Sequence, residues 1–284
     1  MSNHPQEWHD FRRQGIGGSD VPILMGVAPK GWGTPFELWE EKYLGKLKEK
    51  DSQAMKYGRD NEERARSEFE RVMGVMVAPK AVIHPNTPWI RANLDGIDMD
   101  NKIVVEIKCP GVKDHAVAVN KMVPEKYYPQ CQHQLLATGL SGMYYFSFYG
   151  NEGVIVEVAR DKNYIDKLLE TESKFWDHVV RGIPPELTED DYICMEDNKK
   201  WKNFSNELRH IREEKKALEE RDGVCLEALK NLSQGRSAIG YGLKLKKQIC
   251  DGAVDYSKIP ELQGVDLKSY RKKSFEKWTP TFIS

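Results

Sequence analysis

Hydrophobic residues in the first 75 positions recur at helical spacing, and capping residues divide them into short helices. Residues 7–27 predict a helix, a glycine turn and a second helix that starts near Ser19 or Asp20. A capping box that begins at Thr34 predicts a helix ending near Gly45. A third helix, over "YGRDNEERARSEFERVMG", is expected to stop at Gly74. The chain is therefore predicted to begin with helices.

The hydrophobic period then becomes typical of strands. Three β-branched runs, "VMVAPKAVIHP", "WIRANLDGIDMD" and "KIVVEIKCP", predict a meandering sheet. A helix over "YYPQCQHQLLATGL", a strand pair over "MYYFSFYG" and "GVIVEVAR", and a helix over "KNYIDKLLETESKFWDHVVRG" follow. Residues 1–185 are thus expected to form an α/β (α+β) core, a central mixed sheet flanked by helices.

Residues 186–284 are expected to form a separate extension, because the composition shifts after "IPPELTEDDY". Residues 199–232 keep apolar positions at 3/4 spacing that only Lys215 and Asp222 interrupt, which predicts a coiled-coil-like helix or a helix pair broken at Asp222. A hairpin over "YGLKLKKQI" and "GAVDYSKI" and a basic aromatic tail, "YRKKSFEKWTP", are predicted to complete the chain.

Composition excludes several classes of protein. The 284 residues are 39% hydrophobic and 31% charged, without an apolar run long enough to span a membrane or a secretory leader, so we expect a cytoplasmic protein. The five cysteines are widely spaced, which argues against a disulfide framework, a zinc ribbon and an iron–sulfur cluster. Residues 199–284 carry a net charge of +7 and residues 1–198 a net charge of −8, a difference that does not decide whether the chain binds nucleic acid.

One Glu-x-Lys triplet, Glu106 and Lys108, lies in an apolar predicted strand, where residues i and i+2 point to the same side. Burying both charges would be costly, so that side is expected to meet a metal, an ion partner or a substrate. Four other triplets lie in predicted helices and are expected to be solvated surface: Glu40/Lys42, Glu172/Lys174, Glu213/Lys215 and Glu214/Lys216.

Asp95, in a predicted Asp-Gly turn, precedes Glu106 by eleven residues, so a hairpin could bring the two carboxylates together. Mg²⁺ prefers such oxygen ligands together with water, and Lys108 could orient the attacking water or stabilise developing charge. This arrangement predicts phosphodiester cleavage. The alternative is a surface hairpin with a Glu–Lys ion pair.

Two helices offer further candidates. Glu62 could reach the metal from the third helix, or could be an exposed helix acid. Gln130 and Gln134, one turn apart on a predicted helix, could hold a water or a phosphate, or could form an ordinary polar face.

Six segments in order, "WHDFRRQGIGGSD", "TPFELW", "GRDNEERAR", "NLDG", "VEIKCP" and "YPQCQHQ", resemble the bacteriophage lambda-type exonuclease family, also called YqaJ-like viral recombinases, of the PD-(D/E)xK nuclease superfamily. The resemblance covers residues 8–183 and implies a restriction-endonuclease-like core. Leu94 stands where the superfamily name has proline.

The resemblance implies a role for each matching residue. Metal ligands would be Asp95, Glu106, the Ile107 carbonyl and, near a second Mg²⁺, Glu62; Mn²⁺ could substitute. Lys108 would be the catalytic lysine and Gln130 the glutamine near the attacking water. The 5′-phosphate of a DNA end would be held by Arg12 and Ser19, with Asn93 where a serine is often seen.

The family comprises 5′-to-3′ exonucleases that digest one strand of duplex DNA and leave a 3′ overhang for a single-strand annealing protein. The resemblance therefore implies DNA ends and an annealing protein as partners, a ring-shaped homotrimer, a role in phage recombination, and no membrane. Two alternatives remain open. One is a structure-specific or site-specific endonuclease on the same core. The other is a non-catalytic DNA-end-binding scaffold that uses the basic tail, with Tyr270, Phe275 and Trp278 stacking on bases.

Overall fold

A computed structural model describes residues 6–46, 53–249 and 259 of the chain. It divides into two compact units, Met1–Ile193 and Cys194–Ser284. In the described ranges, no helix combines the length and the apolar character needed to cross a bilayer.

The first unit is built on a five-stranded sheet in the order β1-β2-β3-β4-β5. Only β3 and β4 are parallel, and the other neighbouring pairs are antiparallel. The strands are β1 (Ala78–Ile83), β2 (Arg91–Ile97), β3 (Val104–Lys108), β4 (Gly142–Tyr149) and β5 (Glu152–Ala159). The predicted mixed sheet flanked by helices is confirmed.

Seven helices surround this sheet in the described part of the first unit. They are α1 (Gln6–Arg13), α2 (Val21–Leu24), α3 (Pro35–Trp39), α4 (Gln53–Met73), α5 (Val112–Val119), α6 (Tyr128–Thr138) and α7 (Lys162–Arg181). A π-helical turn, Glu40–Leu44, extends α3, and a short 3₁₀ turn spans Glu189–Asp191. The connection from β3 to its parallel neighbour β4 contains α5 and α6, as a crossover between parallel strands requires.

Capping residues start or end several of these helices at the positions that the sequence predicts. Thr34 accepts the Glu37 N–H through its side chain at 3.1 Å, which starts α3. Gly45, Gly74 and Gly182 all have positive φ angles just beyond helix ends, a conformation that glycine adopts without a Cβ penalty. The helix α5 was not predicted from the sequence.

The two faces of the sheet pack against different helices. On one face, Phe69 of α4 meets Phe146 of β4 edge to face, with ring centres 5.5 Å apart. On the other face, α6 and α7 supply the apolar side chains, including Leu135 and Leu168. Because side chains alternate along β3, Val105 belongs to the α4 side, while Glu106 and Lys108 point to the α6 side.

Two of the four Glu-x-Lys pairs predicted to be solvated surface are placed differently by the structure. Lys42 is buried. Glu172 of α7 is also buried, and its Oε1 lies 2.6 Å from Nδ1 of His133, whose Nε2 donates to the Arg91 carbonyl at 2.8 Å. Helical spacing alone does not reveal which turn of a helix faces the core. The two pairs between residues 213 and 216 are exposed, as predicted.

The second unit contains α8 (Lys199–Leu232) and a small hairpin of β6 (Ala238–Gly240) and β7 (Leu243–Leu245). The helix continues through Asp222, so the predicted alternative of a helix pair is wrong. The strand predicted in "YGLKLKKQI" exists as β7, but its partner is β6. The rest of the predicted hairpin, residues 252–258, and the basic tail lie outside the described residues.

Candidate active site

Asp95 lies within strand β2, and the prediction that it sits in a turn is wrong. The Asp-Gly pair suggested a turn, but Gly96 is required for packing. A Cβ there would lie 2.6 Å from Val77 Cγ2 and 2.9 Å from Val105 Cγ1. The chain turns a few residues later, where Asn101 has a φ of 55°.

The pairing of β2 with β3 brings Asp95 to Glu106. Gly96 pairs with Val105 in this antiparallel ladder, so the next step along it sets Asp95 opposite Glu106 on the same face. The Asp95 Oδ2 accepts the Ile107 N–H at 2.8 Å. The sequence therefore predicted the proximity of the two carboxylates correctly, although by a different local structure.

Glu106 is fully buried, and each of its carboxylate oxygens has a partner. Oε1 accepts from the Lys108 ammonium, and Oε2 accepts from the Gln134 side-chain amide. Burial, and then the charge of Asp95, raise the pKa of Glu106 to about 7, although Lys108 and Gln134 act in the opposite direction. The two carboxylates of Glu106 and Asp95 thus lie beside a single cation, Lys108.

Lys108 connects the buried carboxylate of Glu106 to the solvent-exposed surface of the site. Its side chain is 25% exposed, and its ammonium lies 5.4 Å from the centre of the Tyr127 ring. Burial would lower the pKa of Lys108, but the carboxylates of Glu106 and Asp95 outweigh that effect and raise it. Lys108 is therefore a cation in this arrangement, suited to stabilising negative charge and not to accepting a proton.

Glu62, on α4, is linked to Asp95 by the side chain of Arg66. The Arg66 guanidinium donates to Glu62 Oε1 at 2.7 Å and to the Asp95 carbonyl at 3.0 Å. Burial, followed by the charge of Asp95, raises the pKa of Glu62. The helix carboxylate is thus close enough to Asp95 for the two charges to interact.

These residues fit a hard cation bound with water. In the described ranges, no three acidic, histidine or cysteine side chains are grouped so as to hold a metal by themselves. A cation here would combine Asp95 and Glu106 with water or backbone oxygen, as Mg²⁺ commonly does. Gln134 Oε1 is buried beside Glu106 without a hydrogen-bond partner among the described residues, so it could accept from a metal-bound water.

The two candidate glutamines of α6 have different surroundings. Gln134 contacts Glu106 directly, whereas Gln130 packs against the glycine loop, where a Cβ on Gly18 would lie 3.1 Å from Gln130 Cγ. The role of Gln130 near the attacking water stays a prediction. The contact of Gln134 with Glu106 was not predicted from the sequence, since one-turn spacing does not show which of two glutamines faces the sheet.

Arg12 and Ser19 are brought together at the glycine loop. The Arg12 guanidinium donates to Ser19 Oγ at 2.8 Å and pairs with Asp20 at 2.5 Å and with Glu41 at 3.3 Å. Ser19 is exposed and Arg12 is mostly buried. Arg12 and Lys42 together balance the charges of Asp20 and Glu41, and Arg12 holds the exposed Ser19 hydroxyl at the surface of the loop.

The buried side chains of Asp20 and Lys42 anchor the glycine loop. The buried Lys42 ammonium donates to Asp20 Oδ2 at 2.7 Å and to the Arg12 carbonyl at 2.9 Å. Burial alone would raise the pKa of Asp20, but Arg12 and Lys42 hold it well below its usual range. The prediction that Lys42 lies on a solvated surface is therefore wrong.

Asn93 lies on β2, two residues before Asp95, so both side chains are on one face of the strand. Its side chain is exposed, and its strand partner is Ala81 of β1. Its predicted contact with a DNA phosphate stays a prediction.

An aspartate and a Glu-x-Lys strand on a mixed sheet between helices define a PD-(D/E)xK-like fold. Residues 7–141 match the family model described as the YqaJ-like viral recombinase domain, which confirms the resemblance to that family.

Relatives and solved structures agree with this classification. YqaJ of Bacillus subtilis strain 168 is 36% identical over 192 residues; the alignment covers 64% of this chain but only 58% of that protein. The alkaline exonuclease LHK-Exo of Laribacter hongkongensis superposes with a TM-score of 0.55 at 24% identity, covering 63% of this chain and 94% of LHK-Exo. The structure of LHK-Exo in complex with dAMP gives the same values. These matches show a shared fold.

Proposed function

We propose that this chain is a metal-dependent DNA exonuclease that digests linear duplex DNA from 5′ to 3′ and leaves 3′ single-stranded overhangs. The observation that carries the proposal is the placement of Asp95 opposite the buried Glu106, with Lys108 paired to that same carboxylate. This combination of charges suits a cation, a phosphate and a water better than it suits a structural ion pair, because two carboxylates lie beside one lysine, and burial and the charge of Asp95 raise the pKa of Glu106.

Each residue has a distinct part in the proposed reaction. Asp95 and Glu106, with Glu62 and the Ile107 carbonyl nearby, would hold one or two Mg²⁺ ions, or Mn²⁺ in their place. Such ions polarise the phosphate and lower the pKa of water. Lys108 stabilises the negative charge that develops on the phosphate. Gln134 keeps the Glu106 carboxylate in one orientation through its hydrogen bond.

Arg12 and Ser19 are proposed to bind the 5′-phosphate of a DNA end. The guanidinium and the hydroxyl lie 2.8 Å apart, so one phosphate could contact both. The same loop packs at Gly18 against Gln130 and Gln134, which joins the anion site to the carboxylate site through one helix. A homotrimeric ring and a single-strand annealing partner are part of the proposal by family resemblance.

Digestion of three substrates tests the proposal. Linear duplex DNA with and without a 5′-phosphate, and a covalently closed circle, would each be incubated with Mg²⁺ and with EDTA. Metal-dependent loss of the phosphorylated strand alone is expected. Cutting of the circle would contradict the exonuclease proposal and support an endonuclease. No cutting of any substrate would support a non-catalytic DNA-binding scaffold.

A variant of the phosphate site sharpens this test. Ser19→Ala should reduce the preference for a phosphorylated end by about ten- to a hundredfold, because one hydrogen bond to a charged group is lost. Ser67→Ala on α4, where the hydroxyl bonds only to the Glu63 carbonyl among the described contacts, is the matched control. If the two variants preferred the phosphorylated end equally, Ser19 would not be part of the phosphate-binding site.

A further inference from the structure

Helix α8 is long and buries none of its side chains. Its 34 residues, Lys199–Leu232, extend over about 51 Å at 1.5 Å per residue. Large apolar side chains are among the exposed ones, including Trp201, Phe204 and Leu218. An isolated stripe of this kind stabilises a helix poorly in water, because most helical stability comes from packing an apolar face.

The apolar stripe of α8 has a strict seven-residue repeat. Ten positions follow one another at alternating spacings of three and four residues over more than four heptads, and eight of them are apolar. The first position of each heptad, a, is occupied by Trp201, Leu208, Lys215, Asp222 and Leu229. The fourth position, d, is occupied by Phe204, Ile211, Leu218, Cys225 and Leu232. A repeat this regular is typical of a helix that packs against another long helix.

The described part of its own unit offers α8 no such helix. Apart from α8, the described elements of Cys194–Ser284 are the strands β6 and β7, each three residues long. Neither strand can cover a stripe of ten positions that extends over about 47 Å.

We propose that α8 pairs in antiparallel orientation with α8 of a second copy of this chain, with Trp201 of one copy opposite Leu232 of the other. This register gives the maximum overlap of the two stripes. It sets Leu208 opposite Cys225 of the second copy, and Leu229 opposite Phe204. The two polar positions come near the middle, where Lys215 lies one layer from Asp222 of the second copy.

Charges beside the stripe favour this orientation. In an antiparallel pair each flank of one helix faces the same flank of the other. On one flank Arg212 then meets Glu219 of the second copy, and on the other flank Glu214 meets Arg221, each pair occurring twice by symmetry. All four central flanking contacts are between opposite charges.

The parallel alternative has less favourable electrostatics, chiefly at the interface positions themselves. In a parallel pair in register, Lys215 would face Lys215 and Asp222 would face Asp222 in the interface itself. The seventh and the next fifth heptad positions are neighbours in parallel pairs, so Glu207 would lie beside Arg212 of the second copy, an attractive contact, but Glu214 would lie beside Glu219. These like-charge contacts disfavour parallel pairing.

Cross-linking of the full-length chain tests the register. Leu208→Cys would be introduced in a background in which Cys109, Cys194 and Cys250 are replaced by serine, leaving Cys225 exposed and Cys131 buried. A short bis-maleimide should then give a covalent dimer linked between position 208 and Cys225. Within one helix these positions are about 25 Å apart, too far for the reagent, so this link can form only between two copies. The background without Leu208→Cys should give no dimer.

A seam variant with a matched control provides a second measurement. Leu218→Glu replaces an apolar residue of the stripe that is 59% exposed, and Val224→Glu replaces one outside the stripe that is 71% exposed. Sedimentation analysis should show half the natural mass for Leu218→Glu, whether the unpaired form is one chain or the proposed ring of three, and an unchanged mass for Val224→Glu. A link between position 208 and itself, no covalent dimer, or equal masses for the two variants would overturn the proposal.

Discussion

The carboxylate of Asp95 accepts the backbone N–H of Ile107 at 2.8 Å, across the boundary between β2 and β3. This hydrogen bond fixes a carboxylate beside the strand that carries Glu106 and Lys108. The position of Asp95 is therefore set by the sheet itself, and changes that disturb the packing of these two strands should disturb the site.

Gly96 permits this close packing. Gly96→Ala should destabilise the chain by about 1–3 kcal/mol, because its Cβ would press against Val77 and Val105. Gly58→Ala, in the interior of α4 with no atom within 4 Å of the added Cβ, should instead stabilise by about 0.5–1 kcal/mol. Urea unfolding of both variants measures the difference, and equal effects would show that Gly96 is not a packing residue.

Gln134 should matter for Glu106 as well as for stability. Gln134→Ala leaves Oε2 of the buried carboxylate without its donor, which should cost about 1–3 kcal/mol and raise the pKa of Glu106 further, since the Gln134 hydrogen bond lowers it. Unfolding free energies and the pH profile of DNA cleavage would be compared with those of the natural chain. If Gln134→Ala left both unchanged, the hydrogen bond would have no energetic role.

The ion cluster beneath the glycine loop should be sensitive to loss of its carboxylate. Asp20→Ala leaves Lys42, whose side chain is fully buried, without its main counter-charge, so we expect a loss of about 3–5 kcal/mol. Asp190→Ala removes an exposed pair with Lys30 and should cost less than about 1 kcal/mol. Chemical denaturation distinguishes the two, and a small effect at Asp20 would contradict the described cluster.

The buried pair of His133 and Glu172 predicts a pH dependence of stability. Burial would lower the pKa of His133, but Glu172 and the Arg91 carbonyl raise it above the ordinary value of 6.5. A raised pKa means that the folded state binds the proton more tightly, so the stabilisation is full below pH 6.5 and is lost as the pH rises through the folded-state pKa.

The comparison with His133→Gln measures this effect. The variant should be less stable than the natural chain by about 2 kcal/mol at pH 6, and the gap should narrow toward pH 9. His210→Gln, on the exposed α8, serves as the control. A gap independent of pH would mean that His133 does not exchange a proton in this range.

Much of the fold could be predicted because periodicity and caps act locally. The ends of α3, α4 and α7 follow from Thr34, Gly74 and Gly182, whose backbone conformations the sequence indicates. Helix α5 was missed because its eight residues, "VKDHAVAV", have no clear apolar face and no side-chain cap. Its helical state depends on packing against β4 and β5.

Long-range contacts explain what the sequence could not predict at the site. Glu106 and Lys108 were singled out because charges in an apolar strand are unusual, and Asp95 because a hairpin could bring it to Glu106. The burial of Lys42 and the contact of Gln134 depend on partners 22 and 28 residues away, and no local pattern shows them. The predicted Asp-Gly turn was wrong because the sequence does not distinguish a glycine needed for close packing within a strand from a glycine needed for a turn.

The most direct test of the central claim is nucleotide release from linear duplex DNA by Lys108→Ala, with DNA binding measured in the same samples. Lys80→Ala, at an exposed lysine of β1, is the control. The account predicts that Lys108→Ala binds DNA normally in Mg²⁺ but releases nucleotide at least about a hundredfold more slowly, because the developing charge loses its cation. Undiminished release by Lys108→Ala would contradict the assignment of this site as the catalytic centre.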